Sequence, residues 1–271
     1  MNSEDYFDDP PEIVVAKLAD RGRYLCSAST MYRILRSKNL LTHRRRGKKR
    51  EYGNRLETIA TQPNQVWCWD ISFLPTIIKG KYFKLYVIED IFSRKIVGAK
   101  VANTDDVETA KDLVAQSLKA EGITGEGLRI HNDNGSPMKS YLFKDWLRSL
   151  GVIQTHSRPS VSDDNPFIEA LFKTMKYTHL YQNLPFKNIE HATKWAESFT
   201  KWYNHEHMHS SINYVTPIEK HLGLDITKLK ARTEVFKMAY EQNPLRWSSD
   251  PKNWKAVDRI QLNTAGCRIT K

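Results

Sequence analysis

The chain has 271 residues, 40% hydrophobic and 27% charged, with a formal net charge of +11 and three cysteines. No run approaches the roughly 20 apolar residues of a membrane span, and the acidic start MNSEDYFDD is unlike a secretion signal. Cys26, Cys68 and Cys267 include no Cys-x-x-Cys pair, so neither a disulfide framework nor a cysteine zinc site is indicated, and a soluble protein of the reducing cytoplasm is expected.

The charge is unevenly placed. Residues 36–55 carry nine Lys/Arg against one acid and residues 226–271 ten against four, whereas 56–225 carry nineteen against twenty. A near-neutral middle between two basic segments points to flanks that hold a polyanion, of which nucleic acid is the commonest.

Residues 9–42 read as two short helices. An apolar stripe through Ile13, Val14 and Leu18 breaks at 20–22, and Ser27-Ala-Ser-Thr then leads into Met31-Tyr-Arg-Ile-Leu, with Ser or Thr as the N-cap. This is a helix-turn-helix-like pattern whose second helix would present Ser29, Thr30 and Arg33 to a DNA groove; a helical hairpin contacting only protein fits equally well. The following segment, 43–60, has no apolar face. It is expected to be a linker whose Arg44, Arg45, Arg46, Lys48, Lys49 and Arg50 follow DNA phosphates with little sequence preference.

From Gln65 the texture changes. Val66–Leu74, Tyr82–Glu89 and Lys95–Val101 are consecutive strand-like runs broken at Gly80 and Ser93–Arg94, which predicts an antiparallel meander. A helix over Val107–Ala120, a strand over Leu128–His131, a helix over Tyr141–Leu150 and a strand over Val152–Thr155 follow, and such alternation implies parallel pairing. The expected core, 61–225, is α/β: a five-stranded mixed sheet with helices on both faces. After Asn165, Pro166 fits the first position of a helix, and the residue before it should serve as N-cap. A further helix is expected over Ile189–Asn204, and residues 226–271 read as a basic C-terminal tail.

Three acids stand out. Asp70 interrupts a strand that is apolar on both faces, where a carboxylate costs several kcal/mol unless paired, solvated or bound to metal. Asp133 follows a strand end, where α/β sheets commonly open into a site, although Asp-Asn-Gly is also an ordinary turn. Glu169 lies in a first helical turn, with Lys173 and Lys176 four and seven residues on along one stripe. An acid and two bases in line would set a metal ligand beside two phosphate anchors; a plain i,i+4 Glu–Lys pair is the structural alternative.

Trp67-x-Trp-Asp70, His131-Asn-Asp133-Asn-Gly-Ser136 and Ser162-Asp-Asp-Asn-Pro-x-Ile-Glu169-x-Leu-Phe-x-Thr-x-Lys176 resemble, in order and spacing, the three catalytic blocks of bacterial insertion-sequence transposases of the retroviral-integrase-like group. The 35 residues between Asp133 and Glu169 match that group's D,D-35-E pattern, and the likeness runs from about Pro10 to about Trp254. Asn132 departs from the family, which usually has Ser there. The resemblance implies a ribonuclease H-like integrase core, with Asp70, Asp133 and Glu169 as catalytic residues holding two Mg²⁺ or Mn²⁺ ions. It also implies DNA cutting and joining at element ends and target, a homo-oligomer, and a companion helix-turn-helix subunit, this chain being the product of the second reading frame.

Three other readings compete. A DNA-binding regulator from a decayed element, or an ordinary ribonuclease H-like nuclease, would share the fold. His205-Glu-His-Met-His209 also matches the His-Glu-x-x-His zinc-protease pattern, which needs both histidines one helical turn apart.

Overall fold

A computed structural model of the chain describes residues 6, 9–38, 40, 58–133, 138, 140–156, 165–181 and 185–262. The chain forms two compact units: Met1–Gly53 with Met208–Val257, and Asn54–His207 with Asp258–Lys271. This division differs from the sequence-based boundary at residue 225, because residues 208–257 belong with the N-terminal segment.

In the first unit, α1 (Pro11–Asp20) starts on a proline and buries Val14, Val15, Ala16, Leu18 and Ala19. Gly22, in the left-handed region at φ +68, turns the chain toward α2 (Ala28–Ser37). Ser27 caps α2 as expected, its Oγ accepting from Thr30 N at 3.3 Å, and Ser29 and Arg33 are exposed on the helix.

The second unit begins with a short strand, β1 (Thr58–Ala60). Then come β2 (Val66–Pro75), β3 (Tyr82–Asp90), β4 (Ile96–Ala102), α3 (Val107–Glu121), β5 (Arg129–Asn132), α4 (Tyr141–Ser149) and β6 (Ile153–His156). The five strands lie in the order β4-β3-β2-β5-β6, antiparallel from β2 to β4 and parallel across β2, β5 and β6. Because strand residues alternate between faces, Trp67, Trp69, Tyr86, Ile88, Val97 and Ile130 share one side. There they meet Leu113, Val114 and Leu118 of α3 and Phe143 and Leu147 of α4. The opposite face, carrying Cys68 and Asp70, is covered by α5 (Pro166–Tyr177) and α6 (Ile189–His205). The expected mixed sheet with helices on both faces is therefore present.

Asn165 precedes α5 at the cap position but makes no side-chain capping bond. Its amide is buried and turned inward, with Nδ2 3.5 Å from the Trp69 carbonyl, so it touches the strand beside Asp70 and leaves the helix end uncapped.

The remainder of the first unit contains α7 (Pro217–His221), closed by a Thr216–Glu219 capping box, and α8 (Asp225–Gln242). Residues 226–262 are thus more than a basic tail. Leu229, Phe236 and Trp254 are buried, Tyr24 stacks on Trp247 at 4.8 Å, and β7 (Ile260–Leu262) pairs antiparallel with β1 in the second unit. Apolar residues scattered among eight bases gave these elements their cores, a signal that net charge hides. Arg232, 1% exposed, binds Asp20 through Nη2 at 2.8 Å. It also donates to the carbonyls of Asn213 and Tyr214, two consecutive residues held at positive φ. Among the described residues no helix is long and apolar enough to cross a membrane.

The seating of α3 on the sheet depends on Gly98 of β4. A Cβ there would collide with Ser117 Oγ and lie 3.0 Å from Leu113 Cδ1. Gly98→Ala is expected to lower stability by about 1–3 kcal/mol through overpacking, measured by urea unfolding. Adding Ser117→Ala should recover part of that loss; a Gly98→Ala chain as stable as wild type would show that α3 stands off the sheet.

Candidate active site

The pairing of β2 with β5 brings the first two acids together. Val66, Trp67, Cys68 and Trp69 pair in parallel with Arg129, Ile130, His131 and Asn132. One step further along the same register stand Asp70 and Asp133, on strands that run about 4.8 Å apart. Glu169 comes from the first turn of α5, which packs against β2 and β3 through Ile168, Leu171, Phe172 and Met175. Glu169 is exposed, Asp70 and Asp133 half-buried.

Burial pushes the Asp70 carboxyl up to about 7, opposed by the Ile71 amide donating to its Oδ1 at 2.7 Å and reinforced by the charges of Asp133 and Glu169. All three acids therefore act within one electrostatic site. Among the described residues no three His, Cys, Asp or Glu side chains are close enough to share a metal ion, so the acids are neighbours without forming a closed coordination shell. Their chemistry nevertheless fits a hard divalent cation: every donor is a carboxylate oxygen, and Asp70 is a buried acid that an adjacent positive charge would ionise.

Lys173 and Lys176 are exposed on α5, at helical spacing from Glu169. Arg44, Arg45, Arg46, Lys48, Lys49 and Arg50 lie outside the described residues. The zinc-protease pattern is broken locally: α6 stops at His205. His209 instead accepts from Ser211 N at 3.2 Å and caps a 3-10 turn, so the two histidines do not lie one turn apart on a single helix.

Two groups escaped sequence reasoning. Behind Asp70, Glu89 and Arg94 are both buried, and Cys68 Sγ lies 3.9 Å from Glu89 Oε2. Burial pushes Glu89 up to about 8 and lowers Arg94. Arg94, at φ +68 in the turn after β3, sets its guanidinium 3.8 Å from the centre of the Phe167 ring on α5. Beside Asp133, Asn132 is fully buried and bonded to Gln154 and His156 of β6. An acid and an arginine next to a turn look like surface residues in sequence; only the closure of α5 and α6 over them makes them interior.

Because the folded chain holds the Asp70 proton up to about pH 7 while an unfolded carboxyl releases it near its ordinary value of 3.8, stability falls as pH rises through that window. Asp70→Asn removes this loss. In urea unfolding without divalent ions, Asp70→Asn should be the more stable chain at pH 8 by about 2–4 kcal/mol, with the difference vanishing toward pH 4. Glu89 contributes a slope of the same sign in both chains. Equal stabilities at pH 8 would mean that Asp70 is well solvated.

Two integrase core domain family models match this chain, one over residues 60–162 and the other over 150–217. The transposase for insertion sequence element IS904 of Lactococcus lactis is 33% identical over 58% of this chain and 61% of its own length. The putative transposase of IS986/IS6110 from Mycobacterium tuberculosis is 24% identical over 58% of this chain and 57% of its own. The matches thus span about three fifths of these relatives. A chain of the simian T-cell lymphotropic virus intasome, in complex with PP2A regulatory subunit B56 gamma, superposes with a TM-score of 0.51 at 20% identity, covering 78% of this chain and 74% of that one. That likeness concerns the fold alone, an α/β arrangement of a five-stranded mixed sheet with helices on both faces. Between them the two family models span residues 60–217, the strands and helix that carry the three acids, so this segment is an integrase core domain, similar in sequence to bacterial insertion-sequence transposases.

Proposed function

We propose that this chain cuts and joins DNA strands at the ends of an insertion sequence by divalent-metal-dependent phosphoryl transfer, with Asp70, Asp133 and Glu169 as catalytic residues and metal ligands. The observation that supports the reading is the electrostatic coupling of these carboxylates, carried by β2, the residue after β5 and the start of α5, with Asp70 pushed up to about 7 by burial and by the other two. Mg²⁺ or Mn²⁺ there, as two ions, would activate the attacking oxygen and stabilise the leaving one.

In the first step water attacks a phosphodiester at the element's end, the P–O3′ bond breaks, and a 3′-hydroxyl is freed. That hydroxyl then attacks a phosphorus of another strand, where one P–O3′ bond forms as another breaks. The joining step conserves phosphodiester bonds and requires no high-energy cofactor. Asp70, anchored through its Oδ1 to the Ile71 amide, supplies a fixed carboxyl group that a bound cation would ionise. Lys173 and Lys176 hold phosphates of the end along α5, and the basic segment at 44–50 adds further phosphate contacts. The helical N-terminal region docks DNA. Pairing of two ends calls for a homo-oligomer, and the companion helix-turn-helix subunit of such elements is a further partner.

The deciding experiment is Mg²⁺-dependent strand transfer on oligonucleotides carrying the element's own ends, with the companion subunit supplied. Joining by the wild type that drops at least 1,000-fold in Glu169→Gln is the expected result, by analogy with the loss of a single transition-state-stabilising group, about 10²–10³, compounded by loss of ion binding. Cutting without joining would instead indicate an ordinary ribonuclease H-like nuclease, and tight binding without either a non-catalytic regulator.

The phosphate role of α5 has its own check. Changing Lys173 and Lys176 together to Gln should weaken end binding and reduce the slope of log affinity against log salt by about 2, roughly 0.9 per lost phosphate contact. An unchanged slope would remove both lysines from the DNA interface.

A further inference from the structure

Asn132 is fully buried at the end of β5, and its register partners are Trp69 on β2 and His156 on β6. By strand alternation its side chain shares the face of Ile130, which α3 and α4 cover. Asp70 looks out from the other face. Asn132 is therefore behind the site and cannot itself reach the substrate, yet its amide touches the peptide of Asp133.

The polarity of these contacts is fixed by one atom that has no choice. Gln154 Nε2 lies 2.9 Å from the Met138 carbonyl, which can only accept. The NH₂ of Gln154 must face it, and Gln154 Oε1, buried without a partner among the described residues, does not compete for that place. The same Nε2 is 3.1 Å from Asn132, which must therefore present its Oδ1. Asn132 Nδ2 is thereby turned toward the Asp133 carbonyl at 2.7 Å and His156 Nδ1 at 2.9 Å. Two amide hydrogens meet two acceptors. His156 Nδ1 then carries the lone pair and Nε2 the proton, and the 3.3 Å approach of Nδ1 to the Asp133 carbonyl is that of two acceptors sharing one amide.

We propose that Asn132 is a positioning residue for Asp133: its amide, oriented by a relay from the Met138 carbonyl through Gln154, clamps the Asp133 peptide to β6 and so sets where the Asp133 carboxylate stands. This rests on the metal-site reading of the three acids. The relay joins the strand before Asp133, the chain five residues after it and the neighbouring strand, so the peptide that carries the carboxylate is held from three directions. A serine here would offer a single donor hydrogen and could not hold the Asp133 carbonyl and His156 together. An aspartate would turn an acceptor toward two acceptors.

Two measurements test the clamp. The first needs no metal: ¹⁵N-histidine NMR of the full chain should show His156 with its proton on Nε2. In Asn132→Asp the carboxylate would accept, and the proton should move to Nδ1. A wild-type His156 protonated on Nδ1 would overturn the relay.

The second is Mg²⁺ and Mn²⁺ binding by calorimetry, together with strand transfer in each ion. Asn132→Leu, near in volume and without hydrogen bonds, should weaken Mg²⁺ binding by 10- to 100-fold, the usual effect of losing an outer-shell partner. Mn²⁺, which tolerates less ideal geometry, should restore much of the activity. Gln154→Met, which cuts the relay one step earlier, should shift both in the same direction if Asn132→Leu does not fold. A fall in melting temperature with unchanged affinity for both ions would overturn the positioning role and leave Asn132 a packing residue. If Asp133→Asn also bound both ions as the wild type does, the metal reading itself would fail, while the His156 tautomer would still decide whether the relay exists.

Discussion

The site depends on one pairing, the parallel register of β2 against β5. It places Trp69 beside Asn132, the residues that directly precede Asp70 and Asp133. Strand periodicity makes this pairing intolerant of error: a slip of one residue would send every side chain of β5 to the opposite face. Ile130 would leave the core under α3 and α4, and Asp133 would leave its neighbour. The hydrophobic pattern that fixes the register for packing therefore also fixes the distance between two acids. Gly98 acts on the same layer from a distance, since its missing side chain lets α3 lie close enough to seal the face on which that register is read.

The other face of the sheet carries the electrostatic consequences. Asp70, Cys68 and Glu89 lie under α5 and α6, where a charge is costly, and Asp70 and Glu89 are both pushed toward the protonated form. Arg94 partly offsets this from the β3–β4 turn, and its stack on Phe167 ties that turn to the first turn of α5, two residues before Glu169. Replacing buried charged groups by well-packed hydrocarbon is often neutral or stabilising, so their presence here is no argument from stability. The polar underside instead links the strand bearing one acid to the helix bearing another. In the first unit Arg232 has a comparable part, binding Asp20 of α1 and two left-handed carbonyls at once.

Much of this was legible in sequence, because each strand and helix of the second unit carries its own period. The meander, the two parallel strands, α3, α4 and α6 fall within about two residues of their expected bounds, the usual scatter of element ends, and α5 starts at Pro166 as expected. Asp70 announced itself as a carboxylate among apolar neighbours, and Asp133 and Glu169 through spacing. What could not be read were relations with no local signal. Asn165 reads as a cap and is an inward contact to Trp69. Asn132 reads as a small change next to an acid and is the centre of a relay whose partners lie 22 and 24 residues away. The segment after residue 225 reads as a charged tail because charge is a sum, whereas Leu229, Phe236 and Trp254 are buried one at a time.

The three acids differ in how they are held, and that difference bears on how a site of this kind assembles. Asp70 sits inside a ten-residue strand with neighbours paired on both sides, and Asp133 directly follows a strand end whose last residue is fully buried. Glu169 is exposed on a helix and has one more methylene in its side chain. Two of the acids are thus placed within or directly after paired strands, which tolerate little adjustment, and the third on a longer side chain of an exposed helix position. If the acids take up a divalent ion as proposed, the motion that closes the shell falls on the Glu169 side chain, where it costs rotamer entropy of about 1.5–2 kcal/mol and no core packing. Asp70 and Asp133 would then gain from rigidity, which is what an amide clamp behind Asp133 supplies.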